Sequence, residues 1–453
     1  MSLTKGRREF LKRLAQYSAL GSASQIALPF SAIAEAASTN AADYKAIVCV
    51  YLYGGNDYAN TVVPYDSSSY SLYNSLRPTI AIDRNSLSST VLAPKTALNN
   101  GLQFALSPNL APLATLFANN QMNVLLNIGT LVQPTTKAQY QNGSVKLPPR
   151  LFSHNDQQKY SQSFLDPDLT GWGGRLEDLL MANNSSSTFS AISVAGNASF
   201  LNGNSTHQFQ VGTNGSVAVN ALNGSPFGST AIATALKSII TTPQGQVLRD
   251  QVISTVNRSI ISHDKLAPSL TGSSPFPASF FPTGNSLAAQ LQVVARIINA
   301  KQSLGMKRQV FFVSLGGFDN HDHLVTNHPA LMKLVGDAVG GFQSAMSSIG
   351  MAHNVCTFTS SDFGRTLTSN GDGADHGWGS HHFVLGGPIT QSKFIGTPPV
   401  LANNGPSDVG QGRLIPTTSW DQLAYSLGSW FGASTSDLKL ILPNAQNFAN
   451  ISL

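Results

Sequence analysis

Three uninterrupted apolar runs in this chain break off in the same way, and no other feature restricts the fold as much. Lys45–Tyr53 (KAIVCVYLY) runs into Gly54-Gly55-Asn56-Asp57, Arg308–Gly317 (RQVFFVSLGG) into Phe318-Asp319, and Asn354–Ser360 (NVCTFTS) into Ser361-Asp362. A strand with one wet face alternates apolar and polar residues. A continuous run of branched and aromatic residues belongs to a strand covered on both faces. Met122–Gly129 (MNVLLNIG) is a fourth such run, and it follows helically spaced apolar residues in Leu110–Gln121. Strand, helix and strand in succession predict an α/β fold with a mainly parallel central sheet. Further helices are expected near 231–257, 283–303, 329–350 and 418–432. Residues 183–230 set short alternating apolar pieces between Asn-Gly and Asn-Ser turns and read as a small β-rich insertion or cap. With 453 residues, 42% of them hydrophobic, the chain can bury a core of this size.

In parallel α/β sheets, ligands bind beyond the carboxyl ends of the strands. The three runs deliver Asp57, then Asp319 with His321 and His323, then Asp362 with Arg365, to what the fold makes one rim. The stretch Ser360–His382 adds Asp372, Asp375, His376, His381 and His382, and seven of the ten histidines lie between His321 and His382. Carboxylates gathered this way repel one another unless a cation sits among them or one takes up a proton. Imidazole with carboxylate, and no thiolate nearby, suits Zn, Mn or Fe. The reading therefore expects Asp57, Asp319, Asp362 and His376 to meet around a divalent metal. The glycine pairs let the chain turn sharply off each strand. Arg365 either holds a substrate's charged oxygens or braces Asp362 in a salt bridge.

The N-terminus reads as an address rather than as structure. Arg7-Arg8 in KGRREFLKRLA precedes a mildly apolar stretch, Leu14–Ala34, and then Ala34-Glu35-Ala36, a cleavage-site pattern. Residues 1–36 resemble a twin-arginine signal peptide, which predicts export to the periplasm, cell envelope or medium. The apolar stretch is too short and too polar for a permanent membrane span. These residues also carry +3 of the net +5 charge, so the remainder has no basic patch suited to nucleic acid. Cys49 and Cys356 lie inside the apolar runs with no C-x-x-C partner, as small buried hydrophobes do.

Five ordered motifs, YLYGGNDYANTVVPY, NIGTLVQPTTKAQY, SLGGFDNHDH, SSDFGRT with NGDGADHGWGSHHFVLGG, and GRLIPTTSWDQLAYSLGSWFG, resemble the DUF1501 family of exported bacterial proteins, from about Ala46 to the C-terminus. That family is grouped with the alkaline phosphatase and sulfatase superfamily. The resemblance implies an alkaline phosphatase-like three-layer sandwich over residues 43–453. It also implies a ligand set of Asp57, Asp319, His321 or His323, Asp362 and His376, around one or two divalent ions, zinc first and manganese, iron, magnesium or calcium after it. It implies a hydroxyl nucleophile for which Ser153, in RLFSHNDQQKY, is the candidate, with His154 as ligand or acid/base; Ser153 equally reads as a helix N-cap. Two departures stand out. Asp362-Phe363 replaces the superfamily's Asp-His, leaving His154, His381 or His382 as substitutes or only one metal. The Cys/Ser-x-Pro-x-Arg motif of sulfatases is missing. The implied function is hydrolysis of phosphate or related esters, on a small anionic ester or an envelope polymer. The alternative is a non-catalytic envelope protein that keeps the fold for assembly or binding.

Overall fold

The computed structural model describes residues 43–167, 169–216, 218, 220–222 and 224–453, so the signal-like residues 1–36 lie outside it. The strands are β1 (Lys45–Leu52), β2 (Val62–Pro64), β3 (Phe104–Leu106), β4 (Met122–Gly129), β5 (Ala191–Ser193), β6 (Phe209–Gln210), β7 (Arg308–Leu315), β8 (Val355–Ser361), β9 (Ser380–Gly386), β10 (Phe394–Ile395) and β11 (Thr418–Ser419). Nine of them form one sheet in the order β10-β4-β9-β8-β1-β7-β5-β6, with β11 also on β4; β2 and β3 pair separately. All its pairings are parallel except those of β9, which runs antiparallel between β4 and β8. The expected α/β architecture is the one observed.

The apolar runs are strands for the reason their composition suggests: both faces are covered. In β1, Ala46, Val48, Val50 and Leu52 enter one core, built with the helices Ser286–Asn299 and Leu324–Ser348. Ile47, Cys49 and Tyr51 enter the other, built with the helices Trp172–Leu180 and Trp420–Phe431. Neither cysteine is bonded to the other, and both are buried. Residues 183–230 contribute β5 and β6, and these extend the main sheet beyond β7 instead of forming a sheet of their own. Pro329, where the sequence predicts a helix to begin, lies inside the helix Leu324–Ser348.

The register aligns the three acidic strand ends. Leu52 of β1 pairs with Leu315 of β7 and with Ser361 of β8, so the segments carrying Asp57, Asp319 and Asp362 leave the sheet side by side. Gly54 permits their closeness. Its φ is +115°, and a Cβ there would sit 2.4 Å from the Asp319 backbone nitrogen.

Candidate metal centre

Four side chains gather at this rim. His154 opens the helix His154–Ser163, Asp319 follows β7, and His321 lies two residues further on. His376 comes from the loop between β8 and β9, which packs so tightly that a Cβ at Gly373 would meet the His321 carbonyl oxygen at 2.1 Å. The Asp319 Oδ1 atom is 3.4 Å from His154 Nε2, 3.2 Å from His321 Nε2 and 3.4 Å from His376 Nε2. One ligand atom each from His154, Asp319 and His376 lies within 4.8 Å of the others. A tetrahedral ion bound at about 2.0–2.1 Å sets its donors about 3.3–3.4 Å apart.

Each imidazole is held from behind through Nδ1. That of His154 is 2.7 Å from Asp362 Oδ2, that of His321 is 3.0 Å from Asp375 Oδ1, and that of His376 is 2.8 Å from the Phe152 carbonyl oxygen. A proton kept on Nδ1 for such an acceptor leaves the Nε2 lone pair free and aimed inward, the arrangement usual for metal-ligating histidines. The Nε2 atoms of His321 and His376 face each other at 2.9 Å. His154 Nε2 is buried with no hydrogen-bond partner. Phe152 reaches its place with φ +71°, a left-handed conformation that is unusual for a bulky residue.

The remaining polar groups brace this set. Asp362 Oδ2 also accepts from the Gly54 amide at 3.2 Å and from Gln158 Nε2 at 2.9 Å. Arg365, fully buried, donates to Asp319 Oδ1 at 2.7 Å, to the Gly54 carbonyl at 3.1 Å and to the Ala374 carbonyl. It braces Asp319 rather than Asp362, and its burial takes it out of reach of a substrate. Burial would raise the Asp319 carboxyl, but the hydrogen bond and charge of Arg365, with the His154 and His321 imidazoles, outweigh it and hold the group below its ordinary range. Asp375 is likewise lowered: burial is outweighed by hydrogen bonds from Asn370 and His321. The hydrogen bond to Asp362 outweighs burial at His154 and raises its pKa. Burial lowers that of His376, and the His154 and Arg365 charges add to the effect.

Other residues singled out in the sequence lie elsewhere. Asp57 is buried against Arg77, whose guanidinium also donates to the Thr366 and Leu367 carbonyls at 2.9 and 3.1 Å. The cation that a buried carboxylate demands is thus an arginine from the end of the helix Ser67–Leu76. His323 is exposed and faces Asp372 at 3.4 Å. His381 and His382 are not loop ligands but buried members of β9, which turns successive side chains to opposite faces. His381 Nδ1 accepts from the Asn127 amide at 2.9 Å, and His382 Nδ1 is 3.1 Å from Thr359 Oγ1 beside the Trp420 ring. Burial pushes the pKa of each down to about 3, so both stay neutral. Ser153 occupies the N-cap position, but its hydroxyl donates to Asp156 Oδ2 at 2.6 Å instead of accepting a helix amide. Asp375, one of the acids clustered in Ser360–His382, supports His321 from behind. Arg77, Gln158 and the Phe152 carbonyl do not stand out in the sequence: Phe152 adjoins Ser153, and Arg77 carries no signal at all.

Among solved structures the chain is similar to the lipoteichoic acid synthase LtaP from Listeria monocytogenes, at 10% identity over 92% of this chain and 81% of that one, with a TM-score of 0.37. It is similar to the PsFucS1 sulfatase from Pseudoalteromonas sp., at 10% identity over 90% and 71%, with a TM-score of 0.35. It is also similar to an alkaline phosphatase from the Antarctic bacterium TAB5, at 13% identity over 78% and 94%, with a TM-score of 0.26. No curated protein matches it. Residues 44–434 match the model of a family described as a protein of unknown function, DUF1501, and the chain belongs to that family.

Proposed function

We propose that this protein is an exported, metal-dependent hydrolase of phosphate or related esters. The observation that carries the reading is the inward convergence of three Nε2 atoms on Asp319 Oδ1, each imidazole secured from behind. The donor set fits a divalent ion: imidazole nitrogens turned inward, a carboxylate held below its ordinary range, and a buried His154 Nε2 with no hydrogen-bond partner. His154, Asp319 and His376 would hold the ion. Bound there, it would supply Lewis acidity, polarising an ester oxygen and lowering the pKa of water. Export is supported by the Arg7-Arg8 motif and the cleavage pattern at Ala34–Ala36.

The protein's own groups divide the work. Asp362, Asp375 and the Phe152 carbonyl each fix one imidazole tautomer. Arg365 fixes the Asp319 rotamer from beneath. The His321 side chain, 41% exposed and paired with Asp375, stands on the solvent side and is the proton-transfer group. Water is the attacking group. The Ser153 hydroxyl is committed to Asp156, whose carboxyl is lowered by that bond and by Arg150, and so makes a weak base. With Asp57 neutralised by Arg77 and Phe363 following Asp362, the centre is a one-ion site.

The same two features, a tied serine and an arginine in place of a second ion, favour the non-catalytic envelope reading as the rival. The test is the metal content of the purified protein together with turnover of aryl phosphate, phosphodiester and sulfate esters. One equivalent of metal, removed by His376→Ala along with turnover, is the expected result. Bound metal with no turnover of any ester supports the rival, and no bound metal ends both forms of the metal reading.

A further inference from the structure

Among the described residues, eleven large hydrophobic side chains are exposed, and six of them (Ile232, Ile239, Val247, Leu248, Val252 and Ile261) belong to one helical hairpin, Thr230–Thr241 and Val247–Leu270. The inner face of this hairpin is ordinary core: Ala233, Ile253 and Leu266 are buried. Its tip is not. Val247 and Leu248 are 86% and 85% exposed, and Val252, one turn on from Leu248, is 62% exposed. Adjacent apolar side chains this bare at the start of a helix are hard to account for in a molecule surrounded only by water.

The charges around the tip are one-sided. Lys237, Arg249 and Arg258 are exposed, and none of them takes part in an ion pair among the described residues. The nearby acid, Asp250, turns back on the connecting loop and accepts from the Gln244 and Gly245 amides at 2.7 and 3.0 Å. Asn257 Nδ2 donates to the Thr241 carbonyl at 2.9 Å, so the first helix ends opposite the middle of the second. The turns holding Val247, Leu248 and Val252 therefore reach beyond it.

We propose that this tip docks the protein on an anionic lipid surface, with Val247, Leu248 and Val252 entering the headgroup boundary and Lys237, Arg249 and Arg258 meeting lipid phosphates. Bare apolar side chains on a hairpin that also carries unpaired exposed bases are what such a surface selects. Three side chains fall well short of the roughly 800 Å² per partner that a stable protein interface buries, whereas a bilayer needs no matching shape. No helix among the described residues is long and apolar enough to cross a membrane, so the contact is with the surface. The inference is independent of the metal centre.

The test is co-sedimentation of the full chain with vesicles of phosphatidylglycerol or of phosphatidylcholine. Binding to the first and not the second is expected, weakening as salt rises. Val247→Ser/Leu248→Ser/Val252→Ser and Lys237→Gln/Arg249→Gln/Arg258→Gln should each reduce the bound fraction at least fivefold while the far-UV spectrum is unchanged. The proposal is overturned if phosphatidylglycerol vesicles leave the protein in the supernatant, or if either triple variant binds as wild type does. It is equally overturned if the tip instead holds a dimer, seen as a wild-type dimer that the serine variant converts to monomer without vesicle binding.

Discussion

Replacing Arg77 by methionine asks whether a guanidinium, and not a metal ion, keeps Asp57 buried. Neither side chain is more than 1% exposed. Methionine fills part of the space of the arginine stem, so the substitution chiefly removes charge and hydrogen bonds: one to Asp57 and two to the Thr366 and Leu367 carbonyls. The Asp57 carboxylate then stays buried with no counter-charge. Removing one partner of a buried ion pair costs about 3–5 kcal/mol for that reason. The double variant Arg77→Met/Asp57→Asn strands no charge and should recover about 2 kcal/mol of the loss. The assay is urea unfolding of each variant at pH 7, followed by circular dichroism with and without a chelator. If an ion were the real partner of Asp57, the single variant would lose little while metal was present and much after chelation. A cost for Arg77→Met below about 1 kcal/mol, the range of exposed pairs, or a cost that emerges only after chelation, would refute the argument.

The other expectations concern catalysis and pH. In the proposed centre His154, Asp319 and His376 would hold the ion and His321 would stand beside it, so His321→Ala should keep the metal and lower kcat by about 10²-fold or more; loss of metal in this variant, measured by elemental analysis, would make it a ligand. Ser153→Ala should leave kcat within about threefold, since the hydroxyl only serves Asp156, and a loss of about 10³-fold would restore the serine as nucleophile. Asp421 is buried, one of its oxygens has no partner, and burial pushes its pKa up to about 7 from an ordinary 3.8. The unfolded chain gives up this proton first, so the contribution of Asp421 to stability falls as pH rises through that window. The stability gain from Asp421→Asn should therefore grow by on the order of 2–4 kcal/mol between pH 4 and pH 7, read from urea midpoints of the two proteins at each pH. A gain that shrinks with rising pH would mean that the carboxylate is ionised and paired.

The strands were legible because burial on both faces erases alternation, and only apolar residues remain to mark the run. Burial also explains why three acidic strand ends stood out, since Asp319 and Asp362 directly adjoin buried apolar residues, Phe318 and Phe363, and a carboxylate among such neighbours is conspicuous. A carboxylate at that rim declares that it needs a positive partner without saying which. Asp319 found three imidazoles and Arg365; Asp57 found Arg77, twenty positions along and at the end of a helix whose sequence points nowhere near the rim. Arg365 is likewise a strut, because it is fully buried and makes four hydrogen bonds, to Asp319 and to the Gly54 and Ala374 carbonyls, before any substrate arrives. His381 and His382 misled for the opposite reason. In Gly-Trp-Gly-Ser-His-His-Phe the glycines suggest a loop, yet an imidazole whose pKa has fallen to about 3 is a neutral ring that a strand interior can hold if one nitrogen is bonded. Polar residues near a rim therefore separate by what their free atoms face. Asp57 Oδ1 and His382 Nε2 are also buried without a partner, but it is His154 Nε2 that faces a carboxylate oxygen, Asp319 Oδ1 at 3.4 Å, with a ligand atom of His376 close by.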